Sequence, residues 1–419
     1  MKPIFLHSQF RAGSTYFWNK FRLTGRYHCY YEPFNEVLEG SLHSLDPHCG
    51  KGFAQHMRHP EVSVDYFDEY ARDENGLVPL YNKEFAYGRQ PDNKQADDEL
   101  RAYLDSLLAH AECSGRRPVF GFCRSRYLQD WMKQHYDSDN FFLLREARSQ
   151  WESYLSFENN YFPANNLLMV AKNKACSTLQ PLQDIIYLPE YSNGSVLTEV
   201  EFYRRTVEPL LGLEREYFVF YYLWLTSFLE GLQHCRLIFD VDALSRSAEL
   251  RRNCETRLSE MGIDLDFSDC RSPQYSETHL TSEQMQEIES DVELLVSASF
   301  PEKIAAIAEA ANAAQNILLP SHLQLLQQLQ SLSDSTRAQS QAETLCALPQ
   351  KDFFSRDEFR TGALESLFQY SQEAATLRHQ NRQYSQWVAE PLTKKLLHRL
   401  RFLYHHKIGA SGTHLSHLH

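Results

Sequence analysis

The stretch Pro3-Ile4-Phe5-Leu6-His7-Ser8-Gln9-Phe10-Arg11-Ala12-Gly13-Ser14-Thr15 begins with a short apolar run, breaks into polar residues and then enters an aromatic-rich segment, Thr15 to Phe21. That order reads as strand, loop, helix. Similar apolar runs recur at Tyr27 to Tyr31, Val119 to Phe122, Phe141 to Leu144 and Leu237 to Phe239, each followed by polar or charged residues and a helix-compatible stretch. Strands alternating with helices predict an α/β fold, a central and mostly parallel sheet flanked by helices in three layers. Ligands of such sheets bind beyond the carboxyl ends of the strands, which here means just after His7, Tyr31, Phe122 and Leu144.

The 419 residues are 42% hydrophobic and 13% aromatic, enough to exclude a disordered or fibrous chain. A net charge of -13 argues against nucleic-acid partners, which require a basic footprint, so any anionic ligand must meet local positive charge. The nine cysteines are scattered, odd in number and without a CxxC pair, as expected of buried thiols in a reducing compartment rather than of a zinc or redox site. The amino terminus meets Arg11 too early for a signal peptide, and no run of about 18 apolar residues follows. These features predict a cytoplasmic protein.

Residues from about 40 to 117 are polar, carry acidic clusters and contain one helix-like run, Asp98 to Ala111, as in an insertion over the sheet. The aromatics Tyr217, Phe218, Phe220, Tyr221, Tyr222 and Trp224 fit helices packing on the sheet, with an acceptor groove as the alternative. From Ser282 onward Met285, Ile288, Val292, Leu295 and Val296 fall at helical spacing, and the runs Ile304 to Ala314 and Gln324 to Leu332 are also helical. Ser331 to Gln341 reads as a linker or an exposed helix face. Between Pro391 and His419, a stripe of Leu392, Leu396, Leu397, Leu400 and Leu403 runs beside Lys394, Lys395, Arg399 and Arg401. Such a basic amphipathic helix suits peripheral contact with an anionic inner membrane face, or docking on the protein's own acidic body or a partner subunit. It leaves the oligomeric state open.

Three constellations carry chemistry. In Ser8 to Thr15, a loop entering a helix presents backbone N-H groups and the positive helix end to an anion. Gly13 permits close approach, Ser14 and Thr15 offer hydroxyls, and Arg11 adds a fixed positive fork. The nucleotide spelling GxxxxGK[ST] is absent. In Leu143 to Ser153 a strand again runs into a helix, placing Arg145 at the strand end and Ser153 eight residues on, where both can face one anion or where Arg145 pairs with an acid and Ser153 faces solvent. In Tyr30-Tyr31-Glu32-Pro33, Glu32 ends the second strand, beside the first strand in many parallel sheets, and could take a proton from a hydroxyl.

Together these sites resemble the sulfotransferase superfamily, and within it the carbohydrate branch. Arg11-Ala12-Gly13-Ser14-Thr15 is similar to the family's loop for the 5′-phosphosulfate, Arg145 with Ser153 to its 3′-phosphate site, and Glu32 to the candidate base in a Tyr-Glu-Pro segment. Leu237 to Leu244 looks like a further family region, and the resemblance covers roughly residues 1 to 275. It implies a P-loop-like catalytic domain over 1 to 275 and a helical C-terminal region over 276 to 419. It also implies 3′-phosphoadenylyl sulfate as donor, 3′,5′-adenosine bisphosphate as product, no metal, and a saccharide, glycolipid or polysaccharide hydroxyl as acceptor. Arg11 and Glu32 would be catalytic, while Arg11 to Thr15, Arg145 and Ser153 would bind the donor. Ala147 departs from the Pro usual at its position, and residues 276 to 419 have no counterpart. Trp18 is a candidate to stack on adenine or to pack its helix, and Arg124 and Ser125 also point toward the cleft. The rival readings are a P-loop-like small-molecule kinase, which lacks its lysine here, and a non-catalytic binding or assembly protein.

Overall fold

Five apolar runs become five strands: β1 (Ile4–Ser8), β2 (Tyr27–Tyr31), β3 (Arg117–Phe122), β4 (Asp139–Leu144) and β5 (Leu237–Asp240). In the computed structural model they pair in parallel in the order β2-β3-β1-β4-β5. Burial on both faces explains why they read as near-continuous apolar runs instead of alternating ones. The structure describes residues 1–42, 65–87, 94–156, 161–186, 188–189, 191, 196–272, 279–313 and 319–338. The chain divides into two compact units, Met1–Phe359 and Arg360–His419. The second unit, with the basic helix expected between Leu392 and Leu403, lies outside the described residues.

Helices follow the strands: α1 (Ser14–Leu23), α2 (Lys94–Cys113), α3 (Gln129–His135), α4 (Ala147–Leu155), α5 (Tyr161–Lys172), α6 (Gln180–Ile185), α7 (Val196–Phe202) and α8 (Glu208–Leu211). Next come α9 (Leu213–His234), α10 (Val241–Arg246) and α11 (Ala248–Glu260), then α12 (Ser282–Ser299), α13 (Pro301–Ala313) and α14 (Pro320–Ala338). The result is the three-layer α/β architecture expected, with a helical C-terminal part. On one face α1 brings the Phe17 ring within 5.2 Å of Phe239 on β5. On the other, α9 crosses β4 so closely that a Cβ added at Gly231 would lie 2.7 Å from the Phe142 ring. On that same face α2 accepts, at the Leu107 carbonyl, the hydroxyl of Tyr30 at 2.7 Å.

The expected insertion helix is α2, and its buried Leu100, Tyr103, Leu104 and Leu107 join the sheet's own core. Tyr217 to Trp224 are buried on α9, so packing and not a groove accounts for them. The helices after Thr281 pack against this face. Tyr221 donates to Glu293 at 2.9 Å, Tyr217 donates to Glu289 at 2.5 Å, and the Arg148 guanidinium of α4 donates to the same Glu289 at 2.7 and 2.9 Å. Thr281 and Gln284 form a capping box that starts α12. The described part of Ser331 to Gln341 is helix, ending at Ala338. Among the described residues no helix is long and apolar enough to cross a membrane, and the seven described cysteines are free.

Topology locates the cleft. The chain leaves β1 toward β2 on one side of the sheet and leaves β4 toward β5 on the other. The connections therefore diverge between β1 and β4, the switch point beyond which open α/β sheets bind ligands.

Candidate active site

At that switch point the chain turns from β1 into α1 through Gln9 to Gly13. The turn is fixed from both flanks. Gln9 Nε2 donates to the Leu223 carbonyl of α9 at 2.7 Å, and Gln150 Nε2 of α4 donates to the Phe10 carbonyl at 2.7 Å. Arg11 and Gly13 both adopt positive φ, 64° and 87°. Gly13 is required twice over, because a Cβ there would also meet Val241 at 3.2 Å. Gly13 is the N-cap of α1, no side chain caps the helix, and no acid occupies its first turn. The first-turn N-H groups and the positive helix end are thus left for an anion.

The structure brings Arg11, Arg145 and Ser153 together from three separate elements. Arg11 Nε donates to Ser153 Oγ at 2.9 Å, and Arg145 Nη1 donates to the Arg11 carbonyl at 3.3 Å. Ser153 is buried, so the alternative that it faces solvent does not hold. The other half of that alternative does: Arg145 is paired with an acid. Its Nε lies 3.2 and 3.3 Å from the two Asp242 oxygens, its Nη2 donates to Ser272 at 3.1 Å, and Ser272 in turn donates to Asp242. Asp242 also accepts the Glu146 N-H at 3.0 Å.

Ser14 and Thr15 do not turn their hydroxyls into the loop. Ser14 Oγ meets Cys123 Sγ at 3.1 Å and Thr15 Oγ1 meets the Tyr31 hydroxyl at 3.1 Å. Ala12 is buried, with its N-H donated back to the Gln9 carbonyl at 3.3 Å. Trp18 is buried, donates to the Cys29 carbonyl at 2.8 Å and packs on Tyr31 and Tyr66. It packs the helix and is not placed to stack on a base.

Glu32 is not beside β1, because β3 lies between β1 and β2. The link across the gap comes from Arg124, at the carboxyl end of β3. Arg124 Nη1 donates to Glu32 and its Nη2 to Glu36, while Tyr161 of α5 also donates to Glu36. Glu32 has φ 43°, its N-H bonds the Gly121 carbonyl at 2.8 Å, and it is buried. Burial raises its carboxyl above the ordinary range, with the Arg124 charge pulling the other way. The Arg124 guanidinium also lies 4.7 Å from the centre of the Phe10 ring, in the β1 loop. Ser125, the other residue marked after β3, binds His7 Nδ1 at 2.7 Å inside the sheet.

The sequence reading missed Asp242, Gln9 and Gln150, and it gave Arg124 no partner. Asp242 had a signal, since it lies two residues beyond β5, near the strand's carboxyl end where ligand-facing residues gather. Among the described residues no cluster of His, Cys, Asp and Glu has the make-up of a metal site. The arrangement offers an anion cradle at α1, two arginines and a serine around it, and a buried carboxylate held by a third arginine. Comparison of the chain with models of known protein families, with curated proteins and with solved structures finds no match.

Proposed function

We propose that the chain is a sulfotransferase that moves a sulfuryl group from 3′-phosphoadenylyl sulfate to an acceptor hydroxyl, with a saccharide as the preferred acceptor class. The observation that carries this is the meeting at the start of α1 of Arg11, Arg145 and Ser153, from the loop after β1, the junction after β4 and α4, which the family resemblance groups as one donor site. Arg11 and the N-H groups of Gly13 to Thr15 would hold the 5′-phosphosulfate. Arg145 and Ser153 would hold the 3′-phosphate. The pair with Asp242 offsets the Arg145 charge and fixes its orientation, so Arg11 and the helix amides supply most of the attraction.

In the transfer, the acceptor oxygen bonds to sulfur while the bridging S-O bond breaks and leaves its electron pair on the 5′-phosphate. The barrier to a loose, in-line transfer of this kind falls mainly through positioning and through stabilising charge on the leaving oxygen. Glu32 would accept the hydroxyl proton. Burial, by raising its carboxyl, makes it a stronger base than an exposed glutamate. Arg124 holds it in place.

Incubation with 3′-phosphoadenylyl sulfate and a panel of saccharides, followed as release of the bisphosphate, tests the proposal. Turnover that falls by about 10²- to 10⁴-fold in Glu32→Gln with bisphosphate affinity kept supports it. Consumption of ATP instead, or turnover indifferent to Arg11→Ala, contradicts it.

A further inference from the structure

Glu36 follows Glu32 in the segment Glu32-Pro33-Phe34-Asn35-Glu36 and is buried like it. The turn between them is tight. Asn35 donates its N-H to the Glu32 carbonyl at 2.8 Å, and its side-chain oxygen accepts the Val37 N-H at 3.0 Å, which starts the short 3₁₀ helix Glu36–Glu39. Both acids are thereby held against one guanidinium, with Arg124 Nη1 on Glu32 and Nη2 on Glu36.

Two carboxylates against one arginine is more acid than an ion pair needs. Burying the second negative charge is costly, and within this cluster the charges balance only when one carboxyl binds a proton. The hydrogen bonds decide which one. Glu36 has both oxygens engaged, Oε2 by Arg124 and Oε1 by the Tyr161 hydroxyl, which Arg124 Nη2 also reaches at 3.2 Å. On Glu32 the two bonds fall on one oxygen, since Arg124 and, at 3.5 Å, Asn35 Nδ2 both donate to Oε2. Among the described residues no N-H or hydroxyl donates to its Oε1, and the remaining hydrogen-bonding neighbour of Glu32 is Cys123, a weak thiol donor. The titratable groups that also face Glu32 are Tyr31, Tyr66, Tyr70, Tyr161 and Cys123; burial pushes each of them up, so they stay neutral while Glu32 titrates. Arg126, the next cation after β3, is engaged by Met169 Sδ at 3.7 Å.

We propose that Glu36 is a positioning residue: anchored by Tyr161, it shares Arg124 with Glu32, keeps the guanidinium from neutralising Glu32 alone, and so makes Glu32 the proton-accepting member of the pair. This rests on the sulfotransferase reading for the hydroxyl that supplies the proton, whereas proton binding by Glu32 is measurable without any substrate.

The full chain, labelled with carbon-13 at the glutamate carboxyl, is titrated with acid and followed by NMR, with Glu32→Gln identifying the Glu32 signal. In the wild type Glu32 should titrate above the ordinary glutamate range, because burial raises it. Glu36→Gln removes the like charge and leaves Arg124 to Glu32, so the Glu32 midpoint should fall by about one pH unit or more, a tenfold loss of proton affinity. Glu36→Asp keeps the charge and should give less than half that fall. A smaller fall or a rise in Glu36→Gln overturns the proposal, and so does a wild-type midpoint at or below the ordinary range. If Glu36→Gln loses cooperative melting, the wild type and Glu36→Asp decide, and a fall of a full unit in Glu36→Asp overturns it. With 3′-phosphoadenylyl sulfate and a saccharide acceptor, the rising limb of kcat/KM should move down in Glu36→Gln together with the Glu32 midpoint. The NMR shift without any turnover overturns the sulfotransferase reading alone, and turnover with an unmoved Glu32 midpoint overturns the role of Glu36 alone.

Discussion

Arg11 and Glu32 share a backbone feature that no residue pattern announces. With Leu80, they are the non-glycine residues of positive φ among those described. Each such position costs about 1–3 kcal/mol and persists where the surroundings enforce it, commonly at functional sites. Replacing Arg11 by Ala keeps that strain, whereas Arg11→Gly relieves it. Both variants should lose bisphosphate affinity, yet Arg11→Gly should be the more stable by about 0.5–1 kcal/mol in urea unfolding. Glu32 offers a test with a sign. A base works when deprotonated, so kcat/KM should rise with pH through its pKa, at a limb above the ordinary glutamate value because burial raises it. Arg124→Met removes the charge that pulls it down, so the limb should move to higher pH; an unmoved limb would dissociate Glu32 from the base. Arg11, Arg145 and Ser153 were legible because two strand-to-helix junctions place them, β1 to α1 for Arg11 and β4 to α4 for Arg145 and Ser153. The Arg124 to Glu32 pair was not, because residues 92 apart meet only once β3 enters between β1 and β2.

At the scale of elements, the five strands were legible to within about two residues, since full burial leaves uninterrupted apolar runs. Their order was not, and that is why Glu32 was expected beside β1: pairing depends on which crossover helix covers which face, and no strand encodes that alone. The contact of α9 with β4 is similarly tertiary. Gly231→Ala must push a Cβ into Phe142, and should cost about 1–3 kcal/mol, more than the gain in helix propensity returns. Thermal unfolding of that variant reads this directly. The Arg145 to Asp242 pair ties β4 to α10 in the same way, and Asp242→Ala, which takes the Asp242 carboxylate from a buried arginine, should cost about 3–5 kcal/mol. A variant that melts like the wild type would remove the pair from the account.

For the whole molecule, the excess of acids has to be accommodated inside as well as outside. Burial, and then the neighbouring Glu208, push the Glu216 carboxyl at the start of α9 up to about 9. At neutral pH the fold therefore holds a proton that the unfolded chain has already released. Its stabilising contribution is full below the unfolded value of 4.5 and is lost as pH rises toward 9. Glu216→Gln should match the wild type near pH 5 and exceed it increasingly above pH 7, measured as melting temperature against pH. Helices α12 to α14 belong to the same balance, since Glu289 and Glu293 receive the tyrosines of α9 and the arginine of α4. They were legible as helices from their spacing, but their seat on α9 was not, because an apolar stripe does not name its partner. The central claim is that α1, Arg11, Arg145 and Ser153 form one site for a 3′-phosphorylated nucleotide. Calorimetric titration with 3′,5′-adenosine bisphosphate and with ADP tests it. The account predicts binding of the bisphosphate at least about tenfold tighter than ADP, with the difference reduced by Ser153→Ala. Absence of bisphosphate binding, or equal or better binding of ADP, would contradict it.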